Sequence, residues 1–398
     1  MDITIYPRKL QGTVSAIPSK SHAHRLLICA ALSDQPVDLI CPVVNEDICA
    51  TVSCLNALGA QIQQTGNGYH IIPIGIPPKA AQLHCRESGS TLRFLLPVAG
   101  ALGVDALFDM EGRLAERPLS PLCEELEKHG VRISKPTKNT LRSQGQLQSG
   151  EYAIDGSISS QYITGLMFAL AILGNGSHLS IKGYTESRPY ISLTEQVLQQ
   201  FQVDTANYMF NNCYPFHSKK TITCEGDWSN AAFFIGSNAF GNEVSVCGLS
   251  DHSRQGDRAI KELSKKLKCH TIIDGRDIPD LIPVLSVIAA ANQGADFHNI
   301  GRLRLKESDR VAAIAQMLEK LGAKVCVDGD SMFVFPAVFK SCTIDSKNDH
   351  RIAMAAAIAS TYALGPVTIT GAECVKKSYP GFWEDFKKLG GHYEQYIW

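Results

Sequence analysis

The chain has 398 residues, which is too many for a single core of ordinary size and predicts two domains of about 200 residues each. Its 38 basic and 39 acidic side chains give a net charge of −1, so no overall charge favours nucleic acid or an anionic membrane as a partner. Apolar residues make up 44% and charged residues 19%, as is typical of a water-soluble globular protein. The longest apolar runs are shorter than the ~20 residues that a membrane-spanning helix needs, so we expect no membrane segment.

The cysteines and the N-terminal segment both favour a cytoplasmic protein. The chain contains 13 cysteines, but no two of them form a C-x-x-C pair, and several, such as Cys29 and Cys54, lie among apolar or helical neighbours. We therefore expect reduced thiols. The segment MDITIYPRKLQG at the start of the chain has neither the apolar core nor the basic leader of a signal peptide.

A small polar loop, followed at once by an apolar helix rich in small residues, recurs six times along the chain. The six loops centre on Ser19, Gly89, Ser159, Asp227, Asp280 and Asp349, which lie 70, 70, 68, 53 and 69 residues apart. A second helix with one apolar face follows each loop, over Asn45–Leu58, Leu119–His129, Ser192–Phe201, Asp257–Leu267, Ser308–Leu321 and Phe382–Leu389. Several of these helices end at glycine and lead into β-rich segments, so the coarse unit is β-α-β-α-β-β.

This repeat predicts the fold class. Helices that are apolar on every side must be buried, whereas helices with one apolar face can lie over a sheet at the surface. Six such units indicate an α/β chain built of α+β repeats, with two domains of three units each. We expect the apolar helices inside each domain, covered by surface sheets and by the second helices.

Most of the six loops carry side chains suited to bind an anion. Helix capping accounts for the serine, asparagine and aspartate residues, but a cation in the first two turns opposes the helix dipole at a cost of about a few tenths of a kcal/mol. Such cations are Lys20, Arg25, Arg93 and Arg351, and each needs a compensating partner. Helix N-termini offer unpaired N–H groups, so several of them brought together would form a site for phosphates and carboxylates.

The segment LKESDRVAAIAQMLEKLGA, residues 305–323, mixes both signs of charge at the start of an amphipathic helix that ends at Gly322. An acid placed here between two cations, such as Glu307 between Lys306 and Arg310, could donate a proton while the cations hold an oxyanion. The alternative is a solvated helix start whose charges compensate each other.

Nine short motifs in unbroken order resemble those of the enolpyruvyl transferases, and within them most closely the branch that acts on shikimate 3-phosphate. The motifs are Ser19-Lys20-Ser21 with Arg25, Gly89 in ESGSTLR, Glu116-Arg117-Pro118, Ser159-Ser160-Gln161, Ser187-Arg188-Pro189-Tyr190, Pro279-Asp280, Lys306-Glu307-Ser308-Asp309-Arg310, Asp349-His350-Arg351, and Lys377 before Ser378-Tyr379-Pro380. Each motif alone is weak, but nine of them spanning Pro18 to Pro380 are specific.

The resemblance implies a transferase of aromatic amino-acid and chorismate biosynthesis. Such an enzyme moves the enolpyruvyl group of phosphoenolpyruvate to the 5-hydroxyl of shikimate 3-phosphate and releases phosphate, by addition followed by elimination. The resemblance also implies a lower domain of residues 1–13 and 226–398 and an upper domain of residues 14–225. Neither a metal nor an organic cofactor, nucleic acid or membrane partner is expected, and we expect a monomer.

The resemblance assigns the binding residues position by position. Residues implied to bind shikimate 3-phosphate are Lys20, Ser21, Arg25, Ser159, Ser160, Gln161, Ser187, Asp280 and Lys306. Residues implied to bind phosphoenolpyruvate are Lys20, Gly89, Arg117, Gln161, Arg310, Arg351 and Lys377. Hydroxyls and guanidinium groups suit phosphate and carboxylate oxygens, and a glycine lets the backbone approach a phosphate closely.

For the chemistry, Asp280 is the candidate base for the 5-hydroxyl and Glu307 the candidate acid for the methylene carbon, with Lys20 an alternative for either transfer. The cations around Glu307 oppose its protonation.

The chain departs from the family pattern at Arg302, where asparagine is frequent. His22 and His24 are interpreted as helix-surface residues rather than metal ligands.

Two other functions are possible for a chain with these repeats, and the sequence argues against both. A UDP-N-acetylglucosamine enolpyruvyl transferase shares the fold, but that family has a reactive cysteine shortly before the arginine that corresponds to Arg117, and residues 110–118 contain none. A non-enzymatic six-repeat DNA clamp would need cations spread along helix faces. Here the cations lie at helix starts, beside acids, which favours a small ligand.

Overall fold

The computed structural model describes residues 1–211 and 213–396. Its helices are α1 Lys20–Ala31, α2 Glu46–Ala57, α3 Gly89–Ala101, α4 Leu122–Lys128, α5 Ser160–Leu173, α6 Arg188–Gln200, α7 Trp228–Ser237, α8 Ile260–Lys266, α9 Ile282–Ala291, α10 Arg310–Leu321, α11 His350–Ser360 and α12 Phe382–Lys388. Short 3-10 helices include Gly112–Glu116, Gly256–Ala259, Gly301–Leu305 and Ala372–Lys377.

The strands alternate with these helices along the chain. They are β1 Asp2–Tyr6, β2 Gln11–Ser15, β3 Val37–Ile40, β4 Gln61–Thr65, β5 Gly68–Ile72, β6 Ala80–Arg86, β7 Asp105–Met110, β8 Val131–Thr137, β9 Thr140–Gly145, β10 Glu151–Asp155, β11 Ser177–Lys182, β12 Met209–Phe210, β13 Thr221–Thr223, β14 Glu243–Cys247, β15 Thr271–Asp274, β16 Ala295–His298, β17 Val325–Asp328, β18 Ser331–Val334, β19 Cys342–Asp345, β20 Val367–Thr370 and β21 His392–Tyr396.

The chain divides into two units, each with its own hydrophobic core. The first consists of Met1–Ile17 and the chain from Glu225 onwards, and the second of Pro18–Cys224. Helices α1, α3 and α5 form the centre of the second unit, and α7, α9 and α11 the centre of the first. These are the six apolar helices that the sequence predicts, and nearly all their residues are buried.

Among the described residues, the four four-stranded sheets repeat one topology, which confirms the predicted fold class. In the second unit, β6 and β7 are parallel neighbours across α3, while β8 and β9 form an antiparallel hairpin, so the sheet order is β6-β7-β9-β8. The first unit repeats this around α9 with the order β15-β16-β18-β17. The parallel pair needs a crossover helix, and that helix is the buried one.

Several predicted helix bounds differ from the observed ones. Helix α6 begins at Arg188, four residues before the predicted start at Ser192, because Pro189 lies in its first turn, where the missing N–H has no helical partner. The predicted helix Asp257–Leu267 starts as the 3-10 turn Gly256–Ala259 and becomes α-helical at Ile260. Within the described residues, every helix is too short or too polar to span a bilayer.

Candidate active site

Three loops of the first unit bring together the charged residues that the sequence singles out. Asp280 lies just before α9, Lys306 and Glu307 join the 3-10 helix Gly301–Leu305 to α10, and Asp349 caps α11. Two aspartates hold the helix starts, since Asp309 accepts from the Ala312 N–H at 3.0 Å and Asp349 from the Arg351 N–H at 3.0 Å. The loops therefore present their side chains from fixed helix N-termini.

Arg310 is the centre of this cluster, and its side chain is only 1% exposed. Its Nη1 donates to Oδ1 of Asp280 at 2.9 Å, its Nη2 to Oε2 of Glu307 at 2.6 Å, and its Nε to Oδ2 of Asp349 at 2.9 Å. All three guanidinium nitrogens are thus bonded to carboxylates. Burial alone would lower the pKa of Arg310, but the carboxylates of Asp349, Glu307 and Asp280 together raise it.

The candidate base, Asp280, binds two arginines at once. Besides the bond from Arg310, its Oδ2 accepts from Nη2 of Arg351 at 3.0 Å. Burial would raise the pKa of Asp280, but Arg351, Lys306 and Arg310 outweigh it and hold that pKa far below the usual range. In this arrangement Asp280 is ionised but weakly basic.

Lys306 lies beside the same acids and is mostly buried. Burial lowers the pKa of Lys306 to about 8, with Arg310 and Arg302 acting in the same direction against Asp280 and Glu307. The unusual Arg302 thus contributes a charge that disfavours the protonated lysine. Lys377, at the end of the 3-10 helix Ala372–Lys377, donates to the Asn348 carbonyl at 3.0 Å, one residue before Asp349.

A further carboxyl group, Asp257, is near enough to Asp280 to feel its charge and was not predicted as a site residue. It is 1% exposed and accepts a hydrogen bond from the Ser229 hydroxyl at the start of α7. Burial, together with the charge of Asp280, raises the pKa of Asp257 to about 7, while Arg351 opposes the shift. A buried carboxyl group with a raised pKa holds its proton more readily than an exposed one.

In the second unit, Arg25 connects the starts of α1, α5 and α6. Its Nε donates to Thr194 Oγ1 at 2.8 Å and its Nη2 to Thr164 Oγ1 at 3.4 Å, and further donors bond to the carbonyls of Ser21 and Tyr190. Within the described residues, no carboxylate lies within ion-pair distance of this buried guanidinium. Burial therefore lowers the pKa of Arg25 to about 10, and its charge suits an anionic ligand.

Gly89, at the first position of α3, lies against two guanidinium groups. A Cβ atom on this residue would lie 2.5 Å from Nη1 of Arg93 and 2.7 Å from Nη1 of Arg117, so these nitrogens are at most 5.2 Å apart. Arg93 also donates to Oε1 of Gln161 at 3.0 Å, and Nε2 of Gln161 donates to the Ser90 hydroxyl at 3.0 Å. The geometry brings Gly89, Arg117 and Gln161 together, as predicted for an anion-binding group, and adds Arg93 to them.

The remaining predicted residues of this unit lie at helix starts. Lys20 forms an ion pair of 2.9 Å with Asp47 of α2, which is the compensating partner that its position demands. Ser159 caps α5, Ser160 is its first residue, and Ser187 precedes α6. Ser187 is buried and has a φ of 52°, a left-handed conformation that is strained for serine and is often found at functional sites.

The interpretation of His22 and His24 as helix-surface residues is wrong. Both are buried, at 2% and 1% exposure, because they lie on α1, which is packed on every side. Burial lowers the pKa of His22 to about 3 and that of His24 well below its usual value, so both are neutral. Nδ1 of His24 bonds to Thr51 Oγ1 at 2.7 Å, which gives it a structural role. Among the described residues, no group of three or more His, Cys, Asp and Glu side chains could hold a metal ion.

Comparison with known proteins agrees with this geometry. The family model described as EPSP synthase (3-phosphoshikimate 1-carboxyvinyltransferase) matches residues 5–274 and 270–386. The chain belongs to the EPSP synthase family. A 3-phosphoshikimate 1-carboxyvinyltransferase of Clostridium kluyveri is 39% identical over 419 residues, covering 99% of this chain and 98% of the relative. One from Clostridioides difficile is 36% identical over 434 residues, with 99% and 98% coverage.

Solved structures of the EPSP synthase family and its neighbours share the fold. An EPSP synthase from Acinetobacter baumannii superposes with a TM-score of 0.81 at 20% identity and covers 100% of both chains. The enolpyruvyl transferase NikO from Streptomyces tendae gives a TM-score of 0.72 at 16% identity, covering 99% of this chain and 98% of that one. At these identities the likeness concerns the fold alone.

Sequence reasoning did not foresee several contacts of this candidate site. Asp349 was recognised as a helix marker, but its bonds to Arg310 and Ser308 were not foreseen. Asp47 and Thr194 gave no signal, since neither lies in a recognisable motif. Arg93 was singled out as a cation at a helix start that needs a compensating partner, but it was not assigned to either ligand.

Proposed function

We propose that this chain transfers the enolpyruvyl group of phosphoenolpyruvate to the 5-hydroxyl of shikimate 3-phosphate and releases phosphate, the reaction that gives its family its name. The observation that carries the proposal is the position of Asp280, a carboxylate bonded directly to Arg310 and Arg351. A base thus lies beside two cations that can hold an anionic substrate, as an addition between a hydroxyl and phosphoenolpyruvate requires.

The binding roles proposed for individual residues follow their chemistry. For shikimate 3-phosphate we propose Lys20, Ser21, Arg25, Ser159, Ser160, Gln161, Ser187, Asp280 and Lys306. For phosphoenolpyruvate we propose Lys20, Gly89, Arg117, Gln161, Arg310, Arg351 and Lys377. Support comes from the guanidinium of Arg25, whose hydrogen-bond partners among the described residues are all neutral, and from the adjacent guanidinium groups at Gly89.

The proposed reaction has an addition and an elimination. Asp280 takes the proton of the 5-hydroxyl as its oxygen bonds to C2 of phosphoenolpyruvate, and Glu307 gives a proton to the methylene carbon, with Lys20 an alternative for either transfer. The group that gave the proton then takes one back from the resulting methyl group as the bond from C2 to the phosphate oxygen breaks. The carbon–carbon double bond re-forms, and phosphate leaves.

The setting of the reaction is also a proposal. We propose a cytoplasmic monomer that uses neither a metal nor an organic cofactor and binds neither nucleic acid nor membrane. Its activity belongs to the shikimate pathway that leads to chorismate and the aromatic amino acids. Activity unchanged after dialysis against a chelator, and a light-scattering mass of one chain, are the expected results.

The decisive experiment measures phosphate released from phosphoenolpyruvate by the purified protein with each of two acceptors. We expect rapid release with shikimate 3-phosphate and none with UDP-N-acetylglucosamine. The reverse preference would assign the chain to the other enolpyruvyl transferase. Salt-sensitive binding of duplex DNA in a filter assay, without phosphate release from either acceptor, would support a clamp and overturn the enzyme.

A further inference from the structure

The arginines at the centre of this cluster already have anionic partners. Three carboxylates, Asp280, Glu307 and Asp349, contact or directly influence three cations, Lys306, Arg310 and Arg351. Cations matched by carboxylates in this way attract a multiply charged anion less than unmatched cations would. Binding of phosphoenolpyruvate therefore has to change either the partners or the protonation of these groups.

A ligand can take two hydrogen bonds from Arg310 only in exchange for a carboxylate, because four of its five N–H groups already donate to Asp280, Glu307 and Asp349. Asp349 is the least exchangeable of the three acids, since it is 0% exposed, caps α11 and accepts from the Ser308 hydroxyl at 2.9 Å. Glu307 is the most exposed, at 21%, and lies on the non-helical segment before α10. It is the carboxylate best placed to give up its guanidinium.

A displaced Glu307 would remain next to charges of its own sign. The charged groups around it are Arg310 of α10, Asp280 before α9, Asp349 and His350 at the start of α11, Lys306 and Arg302 of its own loop, and Lys377 near Asn348. Compared with the free protein, Glu307 loses its bond from Arg310 and gains the negative charge of the ligand nearby, and both changes favour its protonated form.

We propose that phosphoenolpyruvate replaces Glu307 as a hydrogen-bond partner of Arg310, and that Glu307 takes up one proton from solvent as the ligand binds. The inference rests on the proposed function, and it supplies the proton that Glu307 then gives to the methylene carbon. In the free protein the bond from Arg310 holds Glu307 as an anion; in the complex the same residue is an acid. Binding thereby creates the proton donor only when its substrate is present.

Isothermal titration calorimetry of the full chain tests this proposal. Phosphoenolpyruvate is titrated into protein saturated with 5-deoxyshikimate 3-phosphate, which lacks the attacking hydroxyl, so no bond forms. At about pH 7.5, below the pKa of Lys306, the slope of binding enthalpy against buffer ionisation enthalpy gives the number of protons taken up. We expect close to one proton per phosphoenolpyruvate for the unaltered protein.

Variants identify the group that takes the proton. Glu307→Gln should reduce the uptake to near zero, and Glu319→Gln, a substitution of an exposed glutamate in α10, should leave it unchanged. Lys306→Arg, which cannot accept a proton at this pH, should also retain it. No uptake by the unaltered protein, equal uptake by Glu307→Gln, or a loss confined to Lys306→Arg would overturn the proposal.

A second measurement covers the case in which Glu307→Gln does not bind phosphoenolpyruvate. Infrared difference spectra of the unaltered protein should gain the carbonyl band of a protonated carboxylic acid on ligand addition, and absence of that band would also overturn the proposal. The measurements distinguish a failure of the exchange at Glu307 from a failure of the proposed function. Phosphate release from shikimate 3-phosphate without proton uptake removes only the exchange at Glu307, whereas absence of phosphate release removes the proposed function.

Discussion

Nη1 of Arg310 donates to Oδ1 of Asp280 at 2.9 Å, so the residue proposed to bind phosphoenolpyruvate is bonded to the proposed base. In the same way, Nη2 of Arg351 donates to Oδ2 of Asp280 at 3.0 Å. A carboxylate between two guanidinium groups is stable as an anion and is a poor proton acceptor. On the proposed function, the negative charge of phosphoenolpyruvate beside these arginines would make Asp280 more basic, so binding would favour proton transfer to it.

Asp280→Asn tests this coupling. We expect turnover to fall by roughly 10²–10⁴-fold, the usual scale for loss of a general base, while phosphoenolpyruvate binds equally well or more tightly. The neutral amide no longer competes for Arg310 and Arg351 as a charge. Phosphate release measures turnover and calorimetry measures affinity, with Asp328→Asn, an exposed aspartate of the same unit, as a control that should change neither. Weaker phosphoenolpyruvate binding in Asp280→Asn would contradict the competition.

Thr194 positions Arg25 through the 2.8 Å bond to Nε. Thr194→Val should raise KM for shikimate 3-phosphate roughly tenfold or more, the scale of a lost hydrogen bond to a charged group, with little change in kcat or in KM for phosphoenolpyruvate. Thr194→Ser keeps the hydroxyl and should restore the KM. A uniform loss of activity with a lowered Tm, not relieved by serine, would indicate a packing role only.

Gly89→Ala should impair phosphoenolpyruvate binding selectively. The added Cβ would lie 2.5 Å from Nη1 of Arg93 and 2.7 Å from Nη1 of Arg117, so both guanidinium groups have to move. Steady-state kinetics should show a raised KM for phosphoenolpyruvate and a smaller effect on shikimate 3-phosphate. Gly75→Ala is the matched control in the same unit, since its Cβ would meet nothing within 4 Å. Equal effects on both substrates would argue against the assignment of Gly89.

The pH dependence of the reaction should report Lys306, whose pKa is lowered to about 8. Below that pH the lysine is charged and can hold an anionic substrate, and above it the charge is lost. We therefore expect kcat/KM for shikimate 3-phosphate to fall above pH 8, approaching tenfold per pH unit. Lys306→Arg stays charged, so its kcat/KM, although lower overall, should decline only at higher pH. An unchanged profile in this variant would assign the decline to another group.

Asp257 should make the fold less stable as the pH rises. Its pKa in the folded chain is raised from 3.8 to about 7, so the folded state binds more protons than the unfolded state over that range. Stability therefore falls as the pH rises towards 7. Asp257→Asn removes the buried charge, and its Tm relative to the unaltered protein should be higher at pH 8 than at pH 5. A difference in Tm that does not vary with pH would show that Asp257 is not the titrating group.

The helices were the most predictable part of the structure. All six buried helices lie where runs of apolar and small residues predicted them, because a helix without a polar face needs only its own sequence to show that it must be buried. Their bounds were less certain. Helix α6 extends to Arg188 because Pro189 is a favourable first-turn residue, a detail that the apolar periodicity from Ser192 onwards does not contain.

The partners of the charged residues could not be predicted in the same way. Arg310 and Asp349 are 39 residues apart, Lys20 and Asp47 are 27 apart, and Arg25 and Thr194 are 169 apart. Motif spacing identified the cations but not which acid or hydroxyl each one meets. The prediction that His22 and His24 lie at the surface was wrong for the same reason. Both are polar residues of α1, but the rest of the unit covers the sides of the helix on which they lie.

By itself, the sequence determined the six-fold repeat, the order of its helices and the motifs that indicated the family, since periodicity and short motifs are written in neighbouring residues. Only the tertiary structure decided that Arg310 is neutralised by three carboxylates while Arg25 has none within ion-pair distance among the described residues. The strength of an ion pair depends on burial and on distances across the fold, and both arise only when helices far apart in the chain pack together.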